Sequence, residues 1–247
     1  MKRPSRLTAL LLAVLMLALA ACSKPSQTDG GQGGGTSPPQ SDAGQAGTGS
    51  GGSADSAPRR GPNGEVYGGT YRMAIGAEPA VMDPQLDTTL QVYRLARNLF
   101  NTLVRYKGTT LELEPELLAE MPTVSADGRT YSFRLREGVK FHNGAELTTK
   151  DVKYTIERML SPETMAKNTW VFHDIAGADE MLEGRATELA GLKITGPYTF
   201  EITLKEPFGP FLSNLATAPA SILPADYAGE KGEAFAREPV GTGPFKL

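Results

Sequence analysis

The stretch "SADGRTYSFRLREGVKFHNGAELTTKDVKYTIERML", residues 125–160, carries the strongest structural signals of the chain. Asp127-Gly128 is a dipeptide typical of tight hairpin turns. After this turn, apolar side chains occupy every second position, at Tyr131, Phe133 and Leu135. This alternation predicts a half-buried strand that follows a hairpin turn.

A second turn, at His142-Asn143-Gly144, leads into a predicted helix. Thr148 and Asp151 have the spacing of a capping box, which pairs the side chain of each residue with the backbone of the other at a helix start. The helix is expected to bury one stripe, formed by Val152, Ile156, Met159 and Leu160. Ser161-Pro162 ends it. A strand followed by a capped amphipathic helix indicates a mixed α/β protein.

Other segments carry similar patterns. Residues 68–75 alternate like a strand, an amphipathic helix begins at Leu90, and a short strand is expected at 103–106. Residues 193–205 predict a hairpin with Phe200, Ile202 and Leu204 on its apolar face. Phe245 to Leu247 suggest the start of a further strand.

The N-terminus has the pattern of an export signal. Lys2, Arg3 and Arg6 precede an apolar run, residues 7–21, that is shorter than the roughly 20 residues of a membrane-spanning helix. Cys22 follows two alanines and is the only cysteine. This pattern resembles the bacterial lipobox, which implies cleavage before Cys22 and diacylation of its thiol, a stable membrane anchor. An ordinary cleavage site beside a chance cysteine is the alternative.

Residues 23–65 contain no large apolar side chain and are rich in Gly, Ser and Pro. Such a segment cannot bury enough apolar surface to offset the entropy of ordering, so a disordered tether is expected. The whole chain has a net charge of −3, and loss of residues 1–21 would make it more acidic. We therefore expect no nucleic-acid partner.

Enzymatic and metal chemistry have weak signals. His142 and His173 are the only histidines, and with Asp174 or Glu180 they fit no metal-ligand spacing. Carboxylate pairs such as Asp83 with Asp87 are better explained as solvated loop residues. We predict no enzyme activity, no metal and no cofactor, with a surface-anchored hydrolase as the alternative and an adhesive lipoprotein as a third possibility.

One family combines these segments in the same order. The chain reads "GGTYRMAIGAEPAVMDP", a helix, "LVRY", "LEPELLAEMPTVSADGRTYSFRLREGVKFHNGAELTTKDVKYTIERM", "GPYTFEITLKEPFGPFL" and "VGTGPFKL". This order resembles the family 5 bacterial solute-binding proteins, the receptors of oligopeptide, dipeptide and nickel ABC importers. The resemblance runs from about Gly68 to Leu247.

The resemblance implies an α/β fold of the type II periplasmic-binding class, with a first lobe and an inserted accessory domain. The implied bounds are 1–21 for the signal peptide, 22–65 for the lipidated cysteine and tether, 66–108 and 193–247 for the first lobe, and 109–192 for the accessory domain. Relatives continue into a second lobe after the segment that resembles "GTGPFKL". We therefore expect an N-terminal fragment that lacks the second lobe and binds peptide poorly alone.

The resemblance also implies a function and a site. The function is capture of di- or oligopeptides outside the cytoplasmic membrane by a monomer that delivers them to ABC permease subunits, either anchored at the outer face or periplasmic. A nickel or other solute receptor of the same family is the alternative. The implied ligand contacts are Glu78, Pro79, Val81, Asp87, Trp170, Phe172, Ala218, Pro219 and Thr242. Trp170 and Phe172 are equally compatible with core positions, because "NTWVF" alternates like a strand.

Overall fold

The computed structural model describes residues 59–60, 66–67, 79 and 81–247. The chain divides into two compact units, Met1–Thr70 and Tyr71–Leu247. In the first unit, strands β1 (Arg59–Arg60) and β2 (Val66–Tyr67) pair antiparallel. The predicted signal segment, Cys22, most of the tether, the strand at 68–75 and Glu78 lie outside the described residues.

The second unit is built on a four-stranded antiparallel sheet. Its spatial order is β5 (Thr123–Val124), β6 (Thr130–Arg134), β8 (Thr199–Thr203) and β7 (Leu192–Ile194). Phe133 pairs with Phe200 across the two central strands, and their rings stack with centroids 4.8 Å apart. The predicted strand after Asp127-Gly128 and the hairpin of residues 193–205 are both confirmed. The sheet crosses the position proposed as a domain boundary at residue 192.

A second, smaller sheet contains β3 (Val104–Tyr106) and β4 (Leu113–Pro115), which pair antiparallel. Arg105 faces Glu114 across this pair, with 2.7 Å between Nε and Oε1. The hairpin confirms the strand expected at 103–106. It also crosses the proposed boundary at residue 108.

Five helices occur in the described part of the second unit. They are α1 (Leu90–Leu99), α2 (Thr149–Leu160), α3 (Ala178–Leu182), α4 (Phe211–Leu215) and α5 (Ala225–Lys231). Short 3-10 turns cover Pro162–Thr164, Thr169–Val171, Ala218–Ala220 and Gly232–Ala236. No helix in the described ranges is both long and apolar enough to cross a bilayer.

Helix α2 is the central helix of the core, and its predicted details are confirmed. Its capping box is formed, and the whole predicted stripe is buried, namely Val152, Ile156, Met159 and Leu160. The Asp151 carboxylate accepts a hydrogen bond from Thr148 N at 2.8 Å and another from Ala225 N at 2.8 Å. Ala225 is the first residue of α5. One side chain therefore caps two helices that are far apart in sequence.

Two local predictions differ from the structure. Residues 169–171 form a 3-10 turn where "NTWVF" suggests a strand, because Val171 and Phe172 both reach the core from this turn. Residues 244–247 have no regular secondary structure, so the strand suggested by the sequence is not formed there. Phe245 and Leu247 are exposed.

Candidate functional site

The described candidate ligand contacts fall at the two ends of helix α1. The loop of residues 81–89 and Trp170 lie at its N-terminal end, whereas Ala218, Pro219 and Thr242 lie at its C-terminal end. A helix of 10 residues is about 15 Å long. The structure therefore divides the predicted residues into two groups, one at each end of α1.

At the N-terminal end, Asp87 is buried and its carboxylate accepts a hydrogen bond from the backbone of Thr89, immediately before α1. This contact gives Asp87 a structural role at the helix entrance. Pro79 and Val81 are half-buried. Of the proposed loop contacts that the structure describes, these two are only partly buried.

An ion pair with little solvent access fixes the same loop to α2. Asp83 is fully buried, and its Oδ2 lies 2.6 Å from Nη2 of Arg158, whose side chain is 15% exposed. The expectation that Asp83 and Asp87 are solvated loop residues is therefore wrong, because both are buried with hydrogen-bond partners. The other oxygen of Asp83 accepts from Gln85 N at 2.9 Å, and Gln85 Nε2 donates to Thr155 O at 2.9 Å. Because Asp83 and Gln85 each bond a residue of α2, the loop has a defined position on that helix.

The segment that carries Trp170 packs against this loop. Lys167 N donates to Gln85 O at 3.2 Å, and Asn168 Nδ2 lies 3.3 Å from Pro84 O and 3.2 Å from Asp87 O. Trp170 is 48% exposed, whereas Phe172 is 1% exposed. Phe172 therefore belongs to the core in this conformation, and Trp170 is the aromatic side chain of the segment that solvent reaches.

At the C-terminal end of α1, Ala218 and Pro219 are buried in a 3-10 turn. Thr242 is half-buried, and its hydroxyl donates to Asn101 Oδ1 at 2.9 Å. Ala218 also lines a cavity of about 200 Å³ together with Arg97, Thr102 and Ser221. Small side chains here leave room for a polar cavity.

Residues 241–245 complete the hydrogen bonding of α1. Gly243 N donates to Leu99 O at 2.9 Å, and Phe245 N donates to Asn98 O at 3.1 Å. Carbonyl groups in the last turn of a helix have no partner within the helix, so these bonds satisfy two of them. A Cβ placed on Gly241 would lie 2.1 Å from Leu99 O, so only glycine permits this approach.

His142, which the sequence assigns only to a turn, bonds the same segment. Its Nε2 lies 2.8 Å from Gly243 O, and Gly241 N donates to its Nδ1 at 3.3 Å. The carbonyl can only accept and the backbone N–H can only donate, so the neutral ring with its proton on Nε2 fits both contacts. His142 thus links the loop before α2 to the segment that covers the end of α1.

A wide groove opens beside the loop at the N-terminal end of α1. It has a volume of about 1100 Å³, and its walls include Val81, Leu86, Arg158, Met165, Lys167 and Arg237. Both apolar and charged side chains line it. Such a surface suits a ligand with both apolar and polar groups.

The candidate metal ligands do not form a metal site in the described ranges, where no group of three or more His, Cys, Asp or Glu side chains is placed for one. His173 Nε2 lies 3.0 Å from Asp179 Oδ1. The hydrogen bond from Lys205 is the main cause that lowers the pKa of Asp179, with a smaller contribution from His173. This exposed cluster is a network of charged pairs.

Comparison with known proteins decides the family. The family model described as "Bacterial extracellular solute-binding proteins, family 5 Middle" matches residues 112–247. The chain belongs to this family. The match includes the central sheet, α2 and residues 241–245, which confirms the resemblance seen in the sequence.

Curated relatives and a solved structure agree with this assignment. The chain is 34% identical over 193 residues to di/tripeptide-binding protein 2 of Pseudomonas aeruginosa (71% of this chain, 35% of the relative). It is 36% identical over 184 residues to the dipeptide-binding protein of Escherichia coli K12 (68% and 33%). The substrate-binding domain of an oligopeptide ABC transporter from Bacillus anthracis matches with a TM-score of 0.63 and 30% identity, over 68% of this chain and 33% of that one.

These similarities show the fold at the level of the family. The described residues have the mixed α/β fold of the periplasmic binding proteins, as predicted. The chain spans about a third of the length of the curated relatives that it matches. The relatives are named as binding proteins, and the family description places its members outside the cytoplasm.

Several residues that build the site have no signal in the sequence. Arg158, Asn168 and His142 each bond a partner more than 70 residues away. Neither spacing nor periodicity reports such contacts. The structural role of a buried Asn or Arg can be assigned only when its hydrogen-bond partners are known.

Proposed function

We propose that this chain supplies part of the ligand-binding surface of a peptide-binding protein that serves an ABC importer. The observation that carries the proposal is Trp170, which remains 48% exposed although its turn is held between the core and the loop of residues 81–89. Trp170 does not line the groove itself, but its turn is bonded to the loop that does, through Lys167 and Asn168. An exposed aromatic side chain offers apolar contact area at a low entropic cost. The names of the relatives favour peptides as the ligand.

The physical features of the groove favour reversible binding of a ligand over catalysis of a reaction. Val81 and Leu86 contribute apolar surface to the groove, whereas Lys167 and Arg237 contribute charge. Peptides combine a polar backbone with variable side chains, so a groove of this mixed character can hold different sequences. In binding proteins of this class, closure of two lobes excludes water from the ligand, so a surface from one side binds weakly.

A titration of the 247-residue chain with di- to octapeptides tests the proposal. We expect saturable binding weaker than about 10 μM, with NMR shifts at the Trp170 indole and the amides of Val81 and Thr242. Trp170→Ala should weaken binding by about 1–2 kcal/mol because it removes an aromatic contact. Leu111→Ala, which truncates another exposed apolar side chain, serves as the control and should leave the affinity unchanged.

The outcomes separate the alternatives. Absence of any peptide-dependent shift up to about 10 mM would refute peptide binding by this surface. Shifts with Ni²⁺ alone would favour a metal receptor of the same family. Release of amino acids from the peptides by purified protein would favour the hydrolase.

We also propose that Cys22 is diacylated and anchors the protein at the outer face of the cell membrane, from where a monomer delivers peptide to the permease. The support is the sequence around Leu19-Ala20-Ala21-Cys22. Cys22→Ala is expected to abolish partitioning into detergent, because the acyl chains supply the membrane affinity. Mass spectrometry of membrane-extracted protein checks this expectation, and an unmodified Cys22 thiol would contradict it.

A further inference from the structure

We propose that Asn168 is a positioning residue that holds Trp170 in a fixed orientation relative to the loop of residues 81–89, and so sets the affinity for peptide. This inference rests on the proposed peptide-binding function. Asn168 is 2% exposed, so it contacts no ligand itself. It acts through the two elements that it connects.

The hydrogen bonds of Asn168 fix the orientation of its amide. Carbonyl oxygens can only accept, so the NH₂ group must face Pro84 O and Asp87 O, at 3.3 and 3.2 Å. The Oδ1 atom then accepts from the hydroxyl of Tyr93 at 2.9 Å. Burial is the main cause that raises the pKa of the Tyr93 phenol, and since an ordinary tyrosine is already protonated at neutral pH, this hydroxyl is a donor there. All three contacts agree on one amide orientation.

The backbone of Asn168 connects this side chain to Trp170. Val171 N donates to Asn168 O at 3.1 Å and closes the 3-10 turn of Thr169–Val171, which has Trp170 at its centre. Immediately after Trp170 in the chain, Val171 and Phe172 are buried in the core. The turn therefore has two fixed ends, and Asn168 supplies the end that faces the loop.

A second contact joins the Trp170 segment to the loop of residues 81–89. Lys167 N bonds Gln85 O at 3.2 Å, so the backbone of residues 167–168 lies along residues 84–87. The same loop carries Val81 and Leu86, which line the groove. A displacement of the loop would therefore move the indole and the groove wall relative to each other.

Two substitutions separate the hydrogen bonds of Asn168 to the loop from its hydrogen bond with Tyr93. Asn168→Asp keeps the size and the acceptor for Tyr93, but it loses both donors and places a negative charge against two carbonyl oxygens and near Asp87. Tyr93→Phe removes only the bond to Oδ1 and leaves the contacts to the loop. A comparison of these variants isolates the contribution of the loop contacts.

The experiment measures acrylamide quenching and the emission spectrum of Trp170 in the full chain, without ligand and well below the melting temperature. Trp170 is the only tryptophan, so the signal has one origin. Asn168→Asp is expected to raise the quenching constant at least twofold, and Tyr93→Phe to change it little. Ile202→Val, in strand β8, provides a destabilised control and should leave the Trp170 signal at the wild-type value.

A peptide titration of the same variants completes the test, with Asn168→Asp expected to weaken binding at least threefold. Unchanged quenching in Asn168→Asp, or an equal change in Ile202→Val, would overturn the positioning role. If no protein, including the wild type, responds to peptide, the proposed function fails. The quenching of the free chain would then still decide whether Asn168 orients Trp170.

Discussion

The Asp83→Ala variant is expected to lose about 3–5 kcal/mol of unfolding free energy, because it leaves the Arg158 guanidinium without its counter-ion in a poorly hydrated site. Asp83 is fully buried and 2.6 Å from Arg158. The change also leaves Gln85 N without its acceptor. Urea denaturation followed by circular dichroism would measure the loss.

An exposed ion pair provides the control for this prediction. Lys150 and Asp226 form a contact on the surface, where both side chains are mostly solvent-accessible. Asp226→Ala should therefore change stability little, since water screens such pairs. A double variant, Asp83→Leu with Arg158→Met, should recover much of the stability because no unpaired charge remains. If Asp83→Ala costs no more than Asp226→Ala, the ion pair does not hold the loop.

The Gly241→Ala variant is expected to lose about 3 kcal/mol, because an added methyl group has no space in this part of the core. Its Cβ would lie 2.1 Å from Leu99 O and 2.6 Å from a ring carbon of Phe100. To relieve this overlap, residues 241–243 must move away from α1, which breaks the bond from Gly243 N to Leu99 O. Thermal and urea unfolding would both report the loss.

A glycine-to-alanine substitution in helix α5 is expected to have the opposite effect on stability. Gly229 lies inside helix α5, and the nearest atom to an added Cβ is 3.9 Å away, which is an ordinary contact. Gly229→Ala should therefore stabilise the protein by about 0.5–1 kcal/mol through helix propensity. A neutral effect of Gly241→Ala would mean that residues 241–243 do not pack against α1 as described.

Local patterns in the sequence predict much of the fold. Strand β6 and the capping box of α2 follow from signals within a few residues, namely alternation after Asp127-Gly128 and the spacing of Thr148 and Asp151. Such signals depend on the periodicity of the element itself, so they can be read from the sequence without knowledge of the tertiary structure. The family resemblance uses the order of the same elements.

The details of the site depend on contacts between distant segments, which the sequence does not reveal. Whether Trp170 or Phe172 faces solvent is decided by a 3-10 turn, in place of the alternation expected of a strand. The proposed role of Asn168 depends on hydrogen bonds from its side chain to the backbone carbonyl groups of residues 84 and 87. Likewise, the burial of Ala218 and Pro219 depends on their packing beside α1. The predicted roles of these residues as ligand contacts remain predictions.

The double cap at Asp151 has a consequence for the order of folding. The first backbone donor of α5 finds its acceptor on a side chain at the start of α2, 74 positions earlier in the chain. Water can satisfy this donor while the chain is open, but the side-chain cap of α5 forms only after the chain between the two helices has closed into a loop, which makes its formation non-local and slow. The amide protons of Thr148 and Ala225 should then exchange with solvent through one shared opening event, so that the two helices behave as a single cooperative unit.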